Sequence, residues 1–243
     1  MNKLTIDDIK SKKTSDTIFI LGSGYSINKV KEEEWDIIRK HNSIAFNWFC
    51  KHPFEPTYFL IREQANLPFR RARGESIKDL IKSVNKYKNA ALIICDVSSH
   101  SKNSYRYRKD KRIKLPYLIV KDDNSKRFKK VKNMRCDPTK KGLIHGTCTI
   151  YNVLHLALFL DYKKIVFVGV DLYDSRYFWL KGNKTRHTVK KKNKRCKDRH
   201  AIASRTIRFV RKLGKDTGLE LYVTNPKSLL KRAIPYKSMG DFA

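Results

Sequence analysis

The chain has 243 residues, 40% of them hydrophobic, which is enough for one substantial core and excludes a disordered polymer. Lys and Arg number 55 against 23 Asp and Glu, a formal net charge of +32. A charge of that size repels itself unless a partner, salt or dispersal over the surface offsets it. Nucleic acid, an anionic membrane surface and a soluble anion such as a nucleotide all fit as partners; a lysine-rich background composition accounts equally well for part of the excess. The five cysteines are odd in number and form no C-x-x-C pair, so neither a disulfide framework nor a zinc site is expected. The opening MNKLTIDDIKSKK contains no apolar h-region, and no apolar run reaches the roughly 18 residues of a membrane span. The expected setting is a reducing cytoplasm.

In chain order, the β-branched and aromatic run TIFIL at 17–21 reads as a buried strand that stops in the tight turn Gly22-Ser23-Gly24. Ser26 or Asn28 is placed to cap a helix running to about residue 41. Residues 43–46 and 57–61 predict two more strands, 75–87 a helix, and 90–96 (AALIICD) another buried strand. Residues 98–141 change character, with 16 Lys or Arg, four Asp and one apolar island, LPYLIV from Leu115. They are expected to form a basic insertion or small subdomain over one edge of the sheet. Within 147–160, Ile150, Val153, Leu154, Ala157 and Leu158 recur at the spacing of an amphipathic helix. KIVFVGVD at 164–171 is the clearest central strand. The basic stretch 172–199 is expected to be a lid-like loop, 200–213 a helix ended by Gly214 or Gly218, and 219–223 a last strand. Strands alternating with helices predict an α/β fold of parallel βαβ units. Ligands of such sheets bind beyond the carboxyl ends of the strands, which directs attention to Ser23, Asn47, Arg62 and Asp171.

Four groups of residues carry candidate chemistry. Glycines in Gly22-Ser23-Gly24-Tyr25-Ser26 would let backbone N–H groups approach a phosphate. The motif is neither a complete G-x-G-x-x-G nor a P-loop, and it also suits a plain strand-to-helix turn. Asn47 follows a strand beside Trp48 and Phe49; its carboxamide suits a base or ribose edge, or a simple turn. After the strongest strand come Asp171, an acceptor for a hydroxyl, and Tyr173 and Tyr177, whose hydroxyls can donate to a leaving phosphate. The alternative is an aromatic cluster packing a loop. His200 ends a loop with ten Lys or Arg in residues 181–200 and opens a helix. Cationic neighbours and a helix N-terminus both disfavour the imidazolium, which suits a general base; an incidental loop histidine is the competing reading. His145 and His155 are weaker candidates, and His155 reads as a packing or solvated helix residue. No D-x-D tripeptide occurs, and Asp122-Asp123 lies in a polar basic stretch, so no metal site is expected.

The order of these motifs resembles a known family. A strand, G-S-G-Y-S, then S-I-A-F-N-W-F, V-G-V-D-L-Y-D-S-R-Y, a loop histidine opening a helix, and L-Y-V-T-N-P-K-S-L-L are together similar to the bacterial lipooligosaccharide sialyltransferases of glycosyltransferase family 42. The likeness covers most of the chain outside 98–141. It implies a single Rossmann-like domain over 1–243, with a mostly parallel sheet flanked by helices. It also implies an inverting, metal-independent transfer of sialic acid or another nonulosonate from a CMP-sugar to a glycan or glycolipid, with no cofactor. By position, Gly22, Ser23 and Gly24 would contact the nucleotide phosphate or ribose, and Asn47 the donor. Thr147 or Thr149 stands where the family has a Ser-Gly turn before a helix. Asp171 closes the G-x-D strand, Tyr173 and Tyr177 would hold the departing phosphate, and His200 would deprotonate the acceptor. Asn225, Pro226 and Ser228 sit in a similar C-terminal turn. Ser23 stands where the family usually has Asn, the tyrosine spacing is shorter and the basic insertion is unlike the family, which leaves the donor sugar open.

On this reading the charge would attract an anionic glycolipid or the inner face of a membrane. The segment KSLLKRAIPYKSM, with Leu229, Leu230 and Ile234 among cations, either lies on that surface or packs on the core. Two other functions compete. Tyr105 and Tyr107 interleaved with Arg and Lys at 106–112 suit a nucleic-acid binder. A Mg-dependent pterin or nucleotide pyrophosphokinase on a similar fold is the third.

Overall fold

The computed structural model describes residues 3–62, 76–97, 111–123, 131–173, 176–180 and 195–243, without the side chains of 132, 133 and 195–201. The strands are β1 (Thr17–Leu21), β2 (Asn42–Phe46), β3 (Tyr58–Ile61), β4 (Ala91–Asp96), β5 (Tyr117–Asp123), β6 (Leu143–Ile144), β7 (Lys164–Val168) and β8 (Glu220–Val223). They form one sheet in the order β6-β5-β4-β3-β2-β1-β7-β8, and each neighbouring pair is parallel. The helices are α1 (Ile6–Ser11), α2 (Glu32–Arg39), α3 (Ile77–Val84), α4 (Pro138–Lys141), α5 (Ile150–Phe159) and α6 (Arg195–Thr217). The expected α/β fold is therefore present.

Strand side chains alternate between two apolar layers. Ile18 and Ile20 of β1 face the layer that holds α1, α5 and α6; Phe19 and Leu21 face the layer that holds α2 and α3. Both faces of the central strands are covered, which is why their sequences read as continuous apolar runs. β1 lies between β2 and β7. The chain leaves β1 toward one edge and returns on its other side, so the crevice beyond β1 and β7 is the topological switch point of the sheet.

Several elements differ from the sequence expectation. Ser26 and Asn28 do not cap α2. Residues Tyr25–Lys29 form a 3-10 turn, and α2 starts after Lys31, whose backbone N–H donates to Glu34 Oε2 (2.8 Å). The apolar island in 98–141 does not cover the edge of the sheet but extends it as β5, paired with β4 from Leu92–Tyr117 to Asp96–Lys121. Helix α5 is buried from Ile150 to Leu158 on every side rather than being amphipathic. Its His155 is fully buried: Nδ1 accepts the Ile144 N–H (2.9 Å) and Nε2 donates to the Cys136 carbonyl (2.9 Å). This imidazole staples β6 to the preceding segment and is neither solvated nor mere filler. The last helix begins at Arg195, so residues 195–199 of the expected loop are helical, and it ends at Gly218 (φ 66°), with Gly214 inside it.

The C-terminal segment packs on the core. Leu230 is 0% and Ile234 6% exposed, and Tyr236 bridges to Val223 beside β8. Leu230 and Ile234 thus face the core, while Leu229 is half-buried and Tyr236 41% exposed. Among the described residues no helix is long and apolar enough to cross a membrane.

The ends of β1 and β7 cross at close range. Gly22 N–H donates to Val168 O and Gly24 N–H to Gly169 O, both at 2.8 Å. A Cβ at Gly22 would overlap the Gly169 carbonyl, which is backbone and cannot swing away. We therefore expect Gly22→Ala to cost about 1–3 kcal/mol through overpacking. At this chain length that is a fall in Tm of roughly 2–12 °C by calorimetry. An unchanged Tm would show that the crossing is looser than these contacts imply.

Candidate functional site

The site is built at the carboxyl ends of β1, β2 and β7. Its base is Asp171, which is 3% exposed. The carboxylate accepts from Ser26 N–H (2.9 Å), Ser26 O–H (2.5 Å) and Asn225 Nδ2 (2.7 Å). Next to it, Ser228 Oγ donates to Val170 O (2.6 Å) and Leu229 N–H to Asp171 O (3.1 Å). One buried carboxylate thus ties the turn after β1 to the ends of β7 and β8. A Cβ on Gly24 would meet Asp171 Oδ2, which explains that glycine. Protein donors reach both oxygens of Asp171, so its carboxylate positions the turn, whatever it offers to a sugar hydroxyl.

The glycine turn also differs in detail from a phosphate cradle. The N–H groups of Gly22 and Gly24 are engaged by β7, and that of Ser26 by Asp171. Among the described residues, the Ser23 N–H has no such partner, whereas Tyr25 lies in the antiparallel bridge that Gly24 makes with Tyr177.

Residues 176–180 lie across this turn. Tyr177 forms an antiparallel bridge with Gly24, Phe178 N–H donates to Ser23 O (3.4 Å), and Asn28 Nδ2 donates to Phe178 O (3.0 Å). The Arg176 guanidinium sits 4.0 Å from the centre of the Tyr25 ring. The Tyr177 ring stacks on Trp179 at 4.5 Å and 13°. Phe178 wedges against Phe49 (5.9 Å) and His52 (5.5 Å). Burial holds the His52 imidazole down at about 4, with a smaller opposing pull from Glu32, so this contact is made by a neutral ring at physiological pH. Tyr173, by contrast, is 45% exposed and makes no hydrogen bond or ring contact to another described residue.

Asn47 adopts φ 51°, in the left-handed region that a non-glycine residue enters only when its surroundings hold it there. Its Oδ1 accepts the Arg62 N–H (2.9 Å), and its Nδ2 donates to Thr149 Oγ1 (3.2 Å). Asn47 and Thr149 are thereby brought together. Thr147 lies half-buried in the turn leading to α5. Helix α6 docks on this corner: Cys148 Sγ lies 3.5 Å from Thr206 Oγ1, Tyr151 O–H donates to Arg205 O (3.3 Å), and Tyr151 stacks on Phe209 (4.3 Å).

The backbone of His200 belongs to α6, six residues before Thr206 or about 9 Å along the axis; its side chain lies outside the described residues. The helix starts at Arg195, so His200 is not at its N-terminus. The helix dipole fades within the first turn, which leaves cationic sequence neighbours as the remaining reason for a neutral imidazole. Asp174 and residues 181–194 of the expected lid, and Tyr105 and Tyr107 of the aromatic-basic stretch, lie outside the described residues.

The sequence singled out Arg62 at a strand end but not its pairing with Asp122, nor Asn152 or Trp179. Asp122, read from sequence as part of a polar basic stretch, lies on β5 with its carboxylate fully enclosed. The available signal was the apolar island running directly into it. Among the described residues no three His, Cys, Asp or Glu side chains are grouped to hold a metal ion.

No family model matches the chain, and no curated protein matches it in sequence. The crystal structure of monofunctional alpha-2,3-sialyltransferase Cst-I from Campylobacter jejuni matches with a TM-score of 0.53 at 15% identity, over 98% of this chain and 84% of that one. The chain shares its fold with a sialyltransferase. A second structure, alpha-2,3-sialyltransferase from Campylobacter jejuni in apo form, gives a TM-score of 0.47 at 13% identity over 98% and 84% of the two chains. At such identity the likeness speaks for the fold.

The Asp171 clamp yields a direct test. Asp171→Ala would leave the buried donors on Ser26 and the half-buried amide of Asn225 without their acceptor, at about 1–3 kcal/mol for a buried group orphaned. Urea unfolding should show a lower midpoint with an unchanged slope, and Asp171→Asn should fall between. A residue that only touched substrate would leave the midpoint where it is.

Proposed function

We propose that the chain is a glycosyltransferase that moves a sugar, with inversion, from a CMP-sugar to a glycan or glycolipid acceptor without a metal. The observation that carries this reading is convergence. The turn at 22–26, the Tyr177 segment, the Asn47–Thr149 contact and the α6 corner meet at one rim, on a fold shared with Cst-I. Metal independence rests on the lack of a D-x-D tripeptide in the sequence.

In this mechanism the nucleotide lies in the crevice beyond β1 and β7. The Ser23 N–H and the Tyr177 hydroxyl donate to the phosphate as it gains charge, and the Arg176 cation stands close by. Asp171 does not touch the substrate; it holds the turn that does. Asn47 and Thr149 offer a carboxamide and a hydroxyl to the donor sugar. His200 takes the proton from the acceptor hydroxyl as that oxygen attacks the anomeric carbon and CMP leaves. Tyr173 has the weaker claim to the phosphate, since its ring is turned to solvent.

A thermal-shift panel of CMP, CDP, UDP, GDP, ATP and NAD tests the nucleotide class. A ligand that binds only the folded chain adds about 2.7 kcal/mol of stability at one hundred times its Kd. CMP should give the largest shift; a clear win for ATP with Mg²⁺ would move the chain to the pyrophosphokinase class. His200→Ala should lower turnover by about 10²- to 10⁴-fold while CMP still binds as in the wild type. Unchanged turnover would remove the base assignment. Tyr177→Phe should reduce kcat by on the order of 10²-fold with little change in donor affinity.

A further inference from the structure

A closed ring of hydrogen bonds runs from Asn47 and Thr149 to Arg62, Asp122 and Asn152, and the last three have no part in the mechanism above. Asn47 Nδ2 donates to Thr149 Oγ1 (3.2 Å), and Asn47 Oδ1 accepts the Arg62 backbone N–H (2.9 Å). The Arg62 guanidinium reaches Asp122, with Nη2 2.9 Å from Oδ2 and Nε a longer 3.4 Å from Oδ1. Asn152 Nδ2 donates to Asp122 Oδ1 (3.4 Å) and to Ile144 O (3.2 Å). Asn152 stands about one helical turn beyond Thr149 on α5, which closes the ring. Cys95 of β4 adds an S–H donor to the same carboxylate (3.4 Å). The ends of β2, β3 and β5 are thus tied to the first turn of α5.

The ring is asymmetric in exposure. The Asp122 side chain is 0% and that of Arg62 23% exposed. A carboxylate cut off from water is stable only through its partners, so the buried acid fixes the guanidinium in place. Asp122 takes the Nε and Nη2 side. The Nη1 edge has no hydrogen-bond partner among the described residues, on a side chain that still reaches solvent. An arginine held along one edge has already lost most of its rotamer freedom, so its other edge meets a ligand at low entropic cost. The half-buried neighbours add donors. Thr149 accepts from Asn47 and so keeps its own hydrogen to give, and Asn47 has a second amide hydrogen. Such a set favours a group that only accepts. Arg62 follows β3, two strands from β1, or about 10 Å from the glycine turn. A nucleotide seated beyond β1 and β7 would extend across Asn47 to reach it.

We propose that Arg62 is a specificity residue whose Nη1 edge binds an oxyanion of the substrate. That group is the carboxylate of an acidic transferred sugar or a phosphate of the nucleotide. The assignment rests on the glycosyltransferase reading of the same cleft.

The test is titration calorimetry on the full chain with cytidine, CMP, CMP-N-acetylneuraminate and the methyl ester of the last. The variants are Arg62→Lys, which keeps the charge and loses the planar edge, and the double variant Arg62→Met with Asp122→Asn, which avoids leaving a buried acid unpaired. Near-UV circular dichroism and Tm confirm that each is folded. A charge-assisted hydrogen bond corresponds to a loss of about 10- to 100-fold in affinity. If the group is a carboxylate, the double variant loses that factor for CMP-N-acetylneuraminate alone and no longer prefers the acid to its ester. If it is a phosphate, the loss appears for CMP and both conjugates and spares cytidine. Arg62→Lys should fall between. Folded variants that bind all four compounds within twofold of the wild type would overturn the assignment. A folded wild type that binds none of the four would instead sink the transferase reading, and the Arg62 assignment with it.

Discussion

The rim of this protein depends on one buried carboxylate. Asp171 lies just past β7, yet its partners come from the turn after β1 and from the segment after β8. These three stretches are far apart in sequence and neighbours in the sheet because β7 lies between β1 and β8. A charge placed there must be satisfied in full or it is costly. Satisfying it fixes the position of Ser23, Tyr25 and the residues that Tyr177 pairs with. The glycines follow from the same constraint. Gly22 and Gly24 leave room for Gly169 and for the acid itself, so their absence of a side chain serves protein packing before it serves any ligand.

A second polar assembly, centred on Asp122, does for β2, β3 and β5 what Asp171 does for β1, β7 and β8. Both acids lie at or just beyond carboxyl ends of strands, and both hold a turn containing a strained residue: Asn47 at φ 51° and Leu172 at φ 62°. Backbone in that region persists where surrounding bonds over-determine it. The Asp122 assembly reaches Thr149 and the first turn of α5, a helix buried from Ile150 to Leu158. A rigid floor of this kind is what a site needs if ligand groups are to meet prepositioned donors.

Much of this was legible in the sequence, and for identifiable reasons. TIFIL, AALIICD and KIVFVGVD are apolar on both faces, which only strands covered on two sides can afford. They gave the class of fold and located Gly22, Asn47 and Asp171 at strand ends. What escaped was whatever depends on contacts between distant residues. Nothing local tells that Ser26 binds Asp171 rather than capping a helix, or that Arg62 and Asp122 meet across β4. Charge misled in two places. The cations around LPYLIV hid a strand, and those before His200 hid the first turn of α6, because long basic side chains can coat regular structure as readily as they can fill a loop.

The position of β1 also bears on how the chain is made. Synthesis proceeds from the N-terminus, and β2 through β6 can assemble on one side of β1 well before β7 exists. Until residues 164–168 emerge, β1 presents an unpaired edge whose five side chains are all destined for burial. Such an edge is a template for pairing with another chain. The ribosome-bound protein is therefore most vulnerable to association between nascent copies late in translation, and that exposure ends when β7 docks and Asp171 locks the turn.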